Sequence, residues 1–159
     1  MYQWIVLLHV FLAFLFMLVH GVYAAAMLKF RGESDPERSA TFFNIVPELT
    51  LGRWLIALMG ITGFLAAFLS TWWKQGWVWT SFAVFLIVSY IMNRYGAGYY
   101  TLMSDTTRRL LEARASNTGV DAAQAEFDRA RSASHPMVVS VVGIVGLAVI
   151  LWLMRFKPF

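Results

Sequence analysis

Four long stretches of the chain contain no aspartate, glutamate, lysine or arginine. A helix needs about 20 apolar residues to cross the hydrocarbon core of a bilayer, and each stretch is close to that length. Backbone N–H and C=O groups inside lipid must be satisfied within the segment itself, which favours helices over irregular structure. We therefore predict four membrane-spanning helices, at about residues 2–28, 54–73, 77–95 and 136–154.

The composition supports a lipid-embedded fold. Hydrophobic residues make up 59% of the chain and charged residues 14%, whereas soluble domains have roughly 45–50% and about 25%. A domain of 159 residues leaves much of its surface exposed, so this apolar excess needs a non-aqueous environment. The predicted fold is all-α: an antiparallel four-transmembrane-helix bundle that forms one integral membrane domain over residues 1–159. The chain has no cysteine, which excludes disulfides, thiolate nucleophiles and iron–sulfur clusters.

The connections between the predicted spans differ in length. Only three residues separate the second and third spans, which predicts a tight helical hairpin. In the first connection, Gly32 to Pro36 is predicted to end the first helix, and Glu48 to open the second span. In the last connection, residues 106–133 are predicted to be helical apart from a break at 117–119, because they are rich in Ala, Glu, Arg and Gln. The bundle then carries a cytosolic helical extension between its third and fourth helices.

The basic residues set the predicted orientation. Ten of the thirteen lysines and arginines fall on the side of the two long connections, and Lys74, Arg155 and Lys157 fall on the other. The positive-inside rule places the long connections in the cytosol and both termini outside. The expected location is a bacterial cytoplasmic (inner) membrane. The net charge of +4 is spread over several loops and interleaved with acids, so nucleic acid is not an expected partner. The expected partners are the lipid bilayer and either further copies of this chain or the subunits of a larger membrane complex.

Two of the three histidines lie in the first predicted span, in the stretch HVFLAFLFMLVHG. His9 and His20 are eleven residues apart, which returns them to within about 20° of one helix face, roughly 16 Å apart along the axis. Both are therefore expected to face the bundle interior at different depths, and one iron cannot bind both. Ionisable side chains inside a membrane are costly, so each imidazole is expected to have a partner.

Two interpretations of these histidines are open. A neutral imidazole is a good haem-iron ligand, and methionine is a common second ligand. Met59 is expected near the depth of His20, and Met154 near the depth of His9. The alternative is a packing histidine that is hydrogen-bonded to a backbone carbonyl or hydroxyl of a neighbouring helix.

Two further polar residues lie at the predicted cytosolic ends of spans. Arg94 would either extend to the lipid headgroups or hold a bound group such as a haem propionate, a quinone head group or a lipid phosphate. His135, next to Pro136, is expected to be an interfacial or capping residue.

The chain resembles a known group of membrane proteins. The residues that carry the likeness are "LH" near the start of the first span, the ending LMRFKPF of the last span, and the stretch HGVYAAAMLKFRGESDPER. With the four-span layout, they are similar to the HemJ-type and CopD-like integral membrane proteins, which include uncharacterised predicted families. The resemblance implies a four-helix membrane fold. HemJ-type proteins are protoporphyrinogen oxidases that bind haem b, and their first-helix histidine maps onto His9.

Three functional hypotheses follow from the residues and the resemblance. The first is a haem-b-binding redox protein or electron-transfer subunit, with His9, His20, Met59 and Arg94 as cofactor-binding residues and the two histidines as metal ligands. The second is a non-catalytic structural subunit of a larger membrane complex. The third is a HemJ-like protoporphyrinogen oxidase.

Overall fold

The computed structural model describes residues 1–45 and 50–159, and every regular element in these ranges is helical. The predicted all-α class is confirmed for this part of the chain. The predicted helix start at Glu48 lies outside the described residues. A short 3-10 turn, Trp72–Lys74, and a π-helical turn, Asn93–Ala97, interrupt the α-helices. The α-helices are α1 (Tyr2–Phe30), α2 (Pro36–Ile45), α3 (Thr50–Leu69), α4 (Gly76–Met92), α5 (Gly98–Ser116), α6 (Val120–Arg131) and α7 (His135–Phe156).

Four helical segments are long and apolar enough to cross a membrane. They are Tyr2–Phe30, Leu51–Leu69, Gly76–Ser116 and Val120–Phe156. Large apolar side chains cover the outside of these segments: Trp4 is 73% exposed and Ile144 is 68% exposed. A soluble monomer rarely exposes so much contiguous apolar surface. The length and the surface of these helices are therefore those of a multi-pass membrane protein.

One helix end differs from the predicted spans. The second span was predicted to run through Trp73, but α3 ends at Leu69 and Thr71 adopts a left-handed conformation with φ of 65°. A non-glycine residue in that region cannot continue a right-handed helix, so the chain turns there. After the third predicted span, residues 77–95, the helix continues through the π-helical turn into α5, because no proline or helix-terminating turn follows Arg94.

The first long connection contains a helix that the sequence analysis missed. Helix α2 begins at Pro36, and the carboxylate of Asp35 accepts a hydrogen bond from the backbone N–H of Glu37 at 2.9 Å. Asp before the helix and Pro at its first position are the residue types preferred there. The residues Asp35–Glu37 therefore marked the start of this helix in the sequence.

The long apolar helices α1, α3, α4 and α7 pack in two main pairs, α1 with α3 and α4 with α7. In the first pair, the rings of Tyr2 and Trp72 lie 6.0 Å apart, and His9 packs on Gly63 further along. In the second pair, Gly146 packs on Val88. Helix α1 also contacts α7, where His20 meets Gly143, so these contacts connect the two pairs.

The best-buried core lies under the α5–α6 hairpin rather than among the long apolar helices. Met103, Leu110 and Phe127 are each at most 1% exposed, and they join a cluster that includes Met27 of α1 and Phe43 of α2. The helices of the hairpin meet at a break where Asn117 and Gly119 have φ of 52° and 66°. The predicted helix–break–helix pattern over residues 106–133 is confirmed.

Candidate functional site

Two cavities lie among the long helices, one beside each histidine of α1. The His9 cavity has a volume of about 310 Å³, and the His20 cavity has a volume of about 120 Å³. Within residues 1–45 and 50–159, no residue lines both cavities. The expectation that the two histidines serve different sites therefore agrees with the geometry.

His9 is held by α3. Its Nδ1 lies 3.0 Å from the backbone oxygen of Met59 and 3.2 Å from Oγ1 of Thr62. A Cβ atom on Gly63 would lie 2.9 Å from Cε1 of His9, so the imidazole fits only because this residue is glycine. The threonine hydroxyl donates to the backbone oxygen of Leu58 at 2.8 Å, which leaves its lone pairs for His9.

These contacts decide which nitrogen of His9 carries the proton. A backbone carbonyl only accepts hydrogen bonds, so Nδ1 of His9 is the donor in its bond to Met59. Nε2 of the neutral ring then keeps its lone pair. Nε2 makes no hydrogen bond to any described residue and is not sealed from its surroundings. Metal-binding histidines are commonly oriented in this way, by a carbonyl that accepts from the second nitrogen, and a packing histidine can make the same hydrogen bond.

The His9 cavity also contains two thioether groups, which are soft ligands for a metal ion. Met59 from α3 and Met154 from α7 both line it, and the rest of its wall is mainly aromatic and small apolar residues. Lys157 also lines the cavity, and its Nζ sits 3.9 Å from the centre of the Trp72 ring. The cavity thus combines an imidazole, two thioethers and one cation in an apolar enclosure.

His20 has a different environment. Its ring stacks on Phe16 with centroids 5.7 Å apart, and its Nε2 would lie 2.5 Å from a Cβ on Gly143 of α7. Nε2 is buried and has no hydrogen-bond partner among the described residues. Unlike His9, His20 is therefore held by packing on both sides and not by a hydrogen bond.

The His20 cavity brings together residues from four parts of the chain. His135 at the start of α7 lines it, and the rings of Tyr95 and Tyr99 lie 5.5 Å and 6.1 Å from the imidazole of His135. Most of the π-helical turn also lines it, as does Arg53 of α3. A π-helical turn costs regular hydrogen bonding and is often found at functional sites.

The predicted site residues are only partly brought together. Met59 lies beside His9 rather than at the depth of His20, where Arg53 and Ile56 lie instead. In the structure, α1 and α3 are level at the Tyr2 end, and the longer α1 projects past the start of α3.

The other predicted positions have mixed outcomes. Met154 lines the His9 cavity, as its expected depth required. Arg94 is exposed and lines neither cavity, so it does not join either histidine. His135 was expected to be only interfacial or capping, but it shares a cavity with His20. Tyr99 was missed, although the run NRYGAGYY, with two glycines inside a helix, marked this segment as unusual.

Metal-binding potential rests on single histidines and not on a cluster. Among the residues that the structure describes, no group of three or more His, Cys, Asp or Glu side chains is placed to hold a metal ion. Haem iron does not need such a group, because the macrocycle supplies four ligands and the protein adds one or two. No protein-family model, curated protein or solved structure matches the chain.

Proposed function

We propose that this protein is an integral membrane redox protein that binds haem b in the His9 cavity, with His9 as an iron ligand. The observation that carries the proposal is the hydrogen bond from Nδ1 of His9 to the backbone oxygen of Met59. It fixes the tautomer that presents a lone pair at Nε2, and the donated hydrogen bond strengthens the imidazole as a ligand.

The cavity suits a flat apolar cofactor. Its volume of about 310 Å³ lies at the lower end of the roughly 300–1,000 Å³ that is typical of small-molecule sites. Tryptophan and phenylalanine rings form much of its wall, which excludes water and offers faces for stacking. Bound haem b would supply one-electron transfer, and the chain would hold the iron and keep water from it.

His20 fits an iron less well than His9. Iron binding through Nδ1 would leave the proton on Nε2, which is sealed against Gly143 with no acceptor. Orphaned buried N–H groups are rare because their desolvation is not repaid. The proposal therefore assigns the iron to His9 alone.

Met154 is the proposed second ligand. The backbone of Met59 already holds the Nδ1 side of His9, whereas Met154 enters the cavity from α7. A ligand from α7 would leave the hydrogen bond between His9 and α3 intact. Lys157 would then supply a positive charge for a haem propionate.

We also propose that the four long helices form an antiparallel bundle across a bacterial inner membrane, with both termini outside and the α5–α6 hairpin in the cytosol. The order of contacts along α1 and α3 supports opposite directions, because Tyr2 meets Trp72 and His9 meets Gly63. The ten-to-three division of lysine and arginine supports the orientation.

Single cysteines test this orientation, since the chain has none of its own. In intact cells, Gln75→Cys is expected to react with a membrane-impermeant maleimide, and Ser116→Cys only after the cells are opened. Both side chains are exposed, so access to the thiol is not limited by the protein. External labelling of Ser116→Cys without labelling of Gln75→Cys would invert the proposed topology.

The haem proposal is tested by the difference between the reduced and oxidised absorption spectra of the purified protein. We expect the narrow bands of a b-type haem after expression in haem-replete cells. The sample should contain about one haem per chain, measured by pyridine haemochrome. A colourless protein purified from such cells would contradict the proposal of a haem-binding redox protein.

One observation favours the structural-subunit alternative. The hydrogen bond from His9 to Met59 also satisfies a purely packing histidine, for which interhelical bonds in membranes average about 0.6 kcal/mol. A correctly inserted, colourless protein that co-purifies with fixed partners would support that role. The enzymatic form, oxidation of protoporphyrinogen as in HemJ-type proteins, is tested separately by the appearance of protoporphyrin fluorescence.

A further inference from the structure

The His20 cavity contains two imidazoles, each with one sealed nitrogen. Nε2 of His20 and Nδ1 of His135 are buried and have no hydrogen-bond partner among the described residues. The other nitrogen of each ring, Nδ1 of His20 and Nε2 of His135, is not sealed and makes no hydrogen bond to a described residue either. Both residues line the same cavity.

The sealed nitrogens indicate where the protons are. A buried N–H without an acceptor is more costly than a buried lone pair without a donor, and orphaned N–H groups are accordingly the rarer of the two. Each neutral ring therefore keeps its proton on the nitrogen that can be reached. His20 and His135 then offer two N–H donors at one cavity, and neither donor has a partner among the residues that the structure describes.

The walls of the cavity are mainly flat and apolar. Phe16, Tyr23, Tyr95 and Tyr99 contribute aromatic rings, and the small residues Gly96 and Ala97 come from the π-helical turn. Rings of this kind bind other planar rings by stacking or edge contacts. A ligand for the cavity would therefore be a planar ring with oxygen acceptors on its edge, small enough for a volume of about 120 Å³.

We infer that the His20 cavity binds the head group of a 1,4-quinone. A quinone ring carries two carbonyl oxygens, which accept hydrogen bonds from Nδ1–H of His20 and Nε2–H of His135. Its apolar tail is compatible with the apolar helices that surround the cavity. The inference does not depend on haem, because the His20 cavity shares no residue with the His9 cavity.

Water is a weaker occupant for this space. A volume of about 120 Å³ has room for several waters, at roughly 10–15 Å³ each, and each water needs two to four polar partners. Besides the histidines and tyrosines, only the exposed Arg53 and Asn93 add polar side chains to a wall that is otherwise apolar. A single ring with two carbonyl groups would accept a hydrogen bond from each histidine and would also fill the apolar space.

The test is binding of tetramethyl-1,4-benzoquinone to the full chain in lipid nanodiscs, measured by equilibrium dialysis against empty nanodiscs. We expect saturable binding at about one quinone per chain. The matched ligand control is 1,2,4,5-tetramethylbenzene, which has the same ring and methyl groups without the carbonyls. It is expected to distribute equally between loaded and empty nanodiscs.

Ring-preserving variants separate hydrogen bonding from packing. His20→Phe and His135→Phe are each expected to weaken quinone binding by about three- to tenfold, the value of one lost hydrogen bond. Tyr90→Phe is the matched control. Tyr90 is 70% exposed and lines neither cavity, so the Kd of this variant is expected to stay within about twofold of the original.

A second kind of variant covers the case in which a histidine variant does not fold. Val139 lines the cavity opposite Gly96, and Val139→Phe would fill the space that the quinone needs. It is expected to abolish saturable binding. The inference is overturned by absence of saturable binding to the original protein, by equal binding of the carbonyl-free ring, or by unchanged Kd in the folded histidine and Val139 variants.

Discussion

Replacing His9 with alanine is expected to abolish the haem absorption of the purified protein while leaving its helical content unchanged. Among the described residues that line the His9 cavity, His9 is the only histidine, and its Nε2 would be the nitrogen that binds the iron. Removal of the imidazole also leaves the backbone oxygen of Met59 bonded only within its own helix, which is a small structural loss. The measurement is the haem-to-protein ratio, together with circular dichroism of the same sample.

Three variants make this result specific to His9. His20→Ala is expected to keep the haem bands, because Nε2 of His20 is sealed against Gly143 and the ring lines another cavity. Met154→Leu is expected to retain haem but to shift its absorption, whereas Met17→Leu, at a methionine that is 46% exposed, is expected to change nothing. Loss of haem in His20→Ala with retention in His9→Ala would move the iron to the other cavity.

The sequence predicted the number of long helices because their physical requirement is local. Uncharged stretches of about 20 residues are visible without knowledge of any tertiary contact. The hairpin break at Asn117–Gly119 was likewise local, since both residue types favour left-handed backbone conformations. Helix α2 could also have been predicted from local sequence, because Asp35 and Pro36 mark its start.

The residues that line each of the two cavities were harder to predict from the sequence. The periodicity of α1 predicts that His9 and His20 share a face, but which helix meets each one depends on the axial register of the neighbouring helices. That register is set by tertiary contacts such as Tyr2 with Trp72. An error of about three turns in the register moved Met59 from one histidine to the other.

The site around His20 was harder still, because it depends on a helix irregularity. Tyr95 and Tyr99 reach His135 through the π-helical turn, and periodicity at 3.6 residues per turn cannot predict a local change in winding. The glycines of NRYGAGYY indicated that the helix was unusual there, without indicating its geometry.

Glycines at the helix contacts are expected to have the largest effect on stability. Gly146→Ala is expected to lower the free energy of unfolding by about 1–3 kcal/mol, the usual cost of overpacking a tight contact. A Cβ at this position would overlap Cγ2 of Val88, and the β-branched valine has little rotamer freedom in a helix. Helices α4 and α7 would have to separate. Unfolding in mixed micelles with increasing denaturing detergent measures the change.

Two further variants distinguish a steric effect from the loss of a glycine as such. Gly21→Ala adds the same methyl group where no atom lies within 4 Å of the new Cβ, and its free energy of unfolding is expected to stay within about 1 kcal/mol of the original. Val88→Ala removes the methyl groups that clash, so the Val88→Ala/Gly146→Ala double variant is expected to recover most of the loss attributed to Gly146→Ala. A double-mutant cycle would show this as a coupling energy of about 1 kcal/mol or more. A cycle without coupling would mean that α4 and α7 do not meet at this contact, and the bundle proposed from it would have to be rearranged.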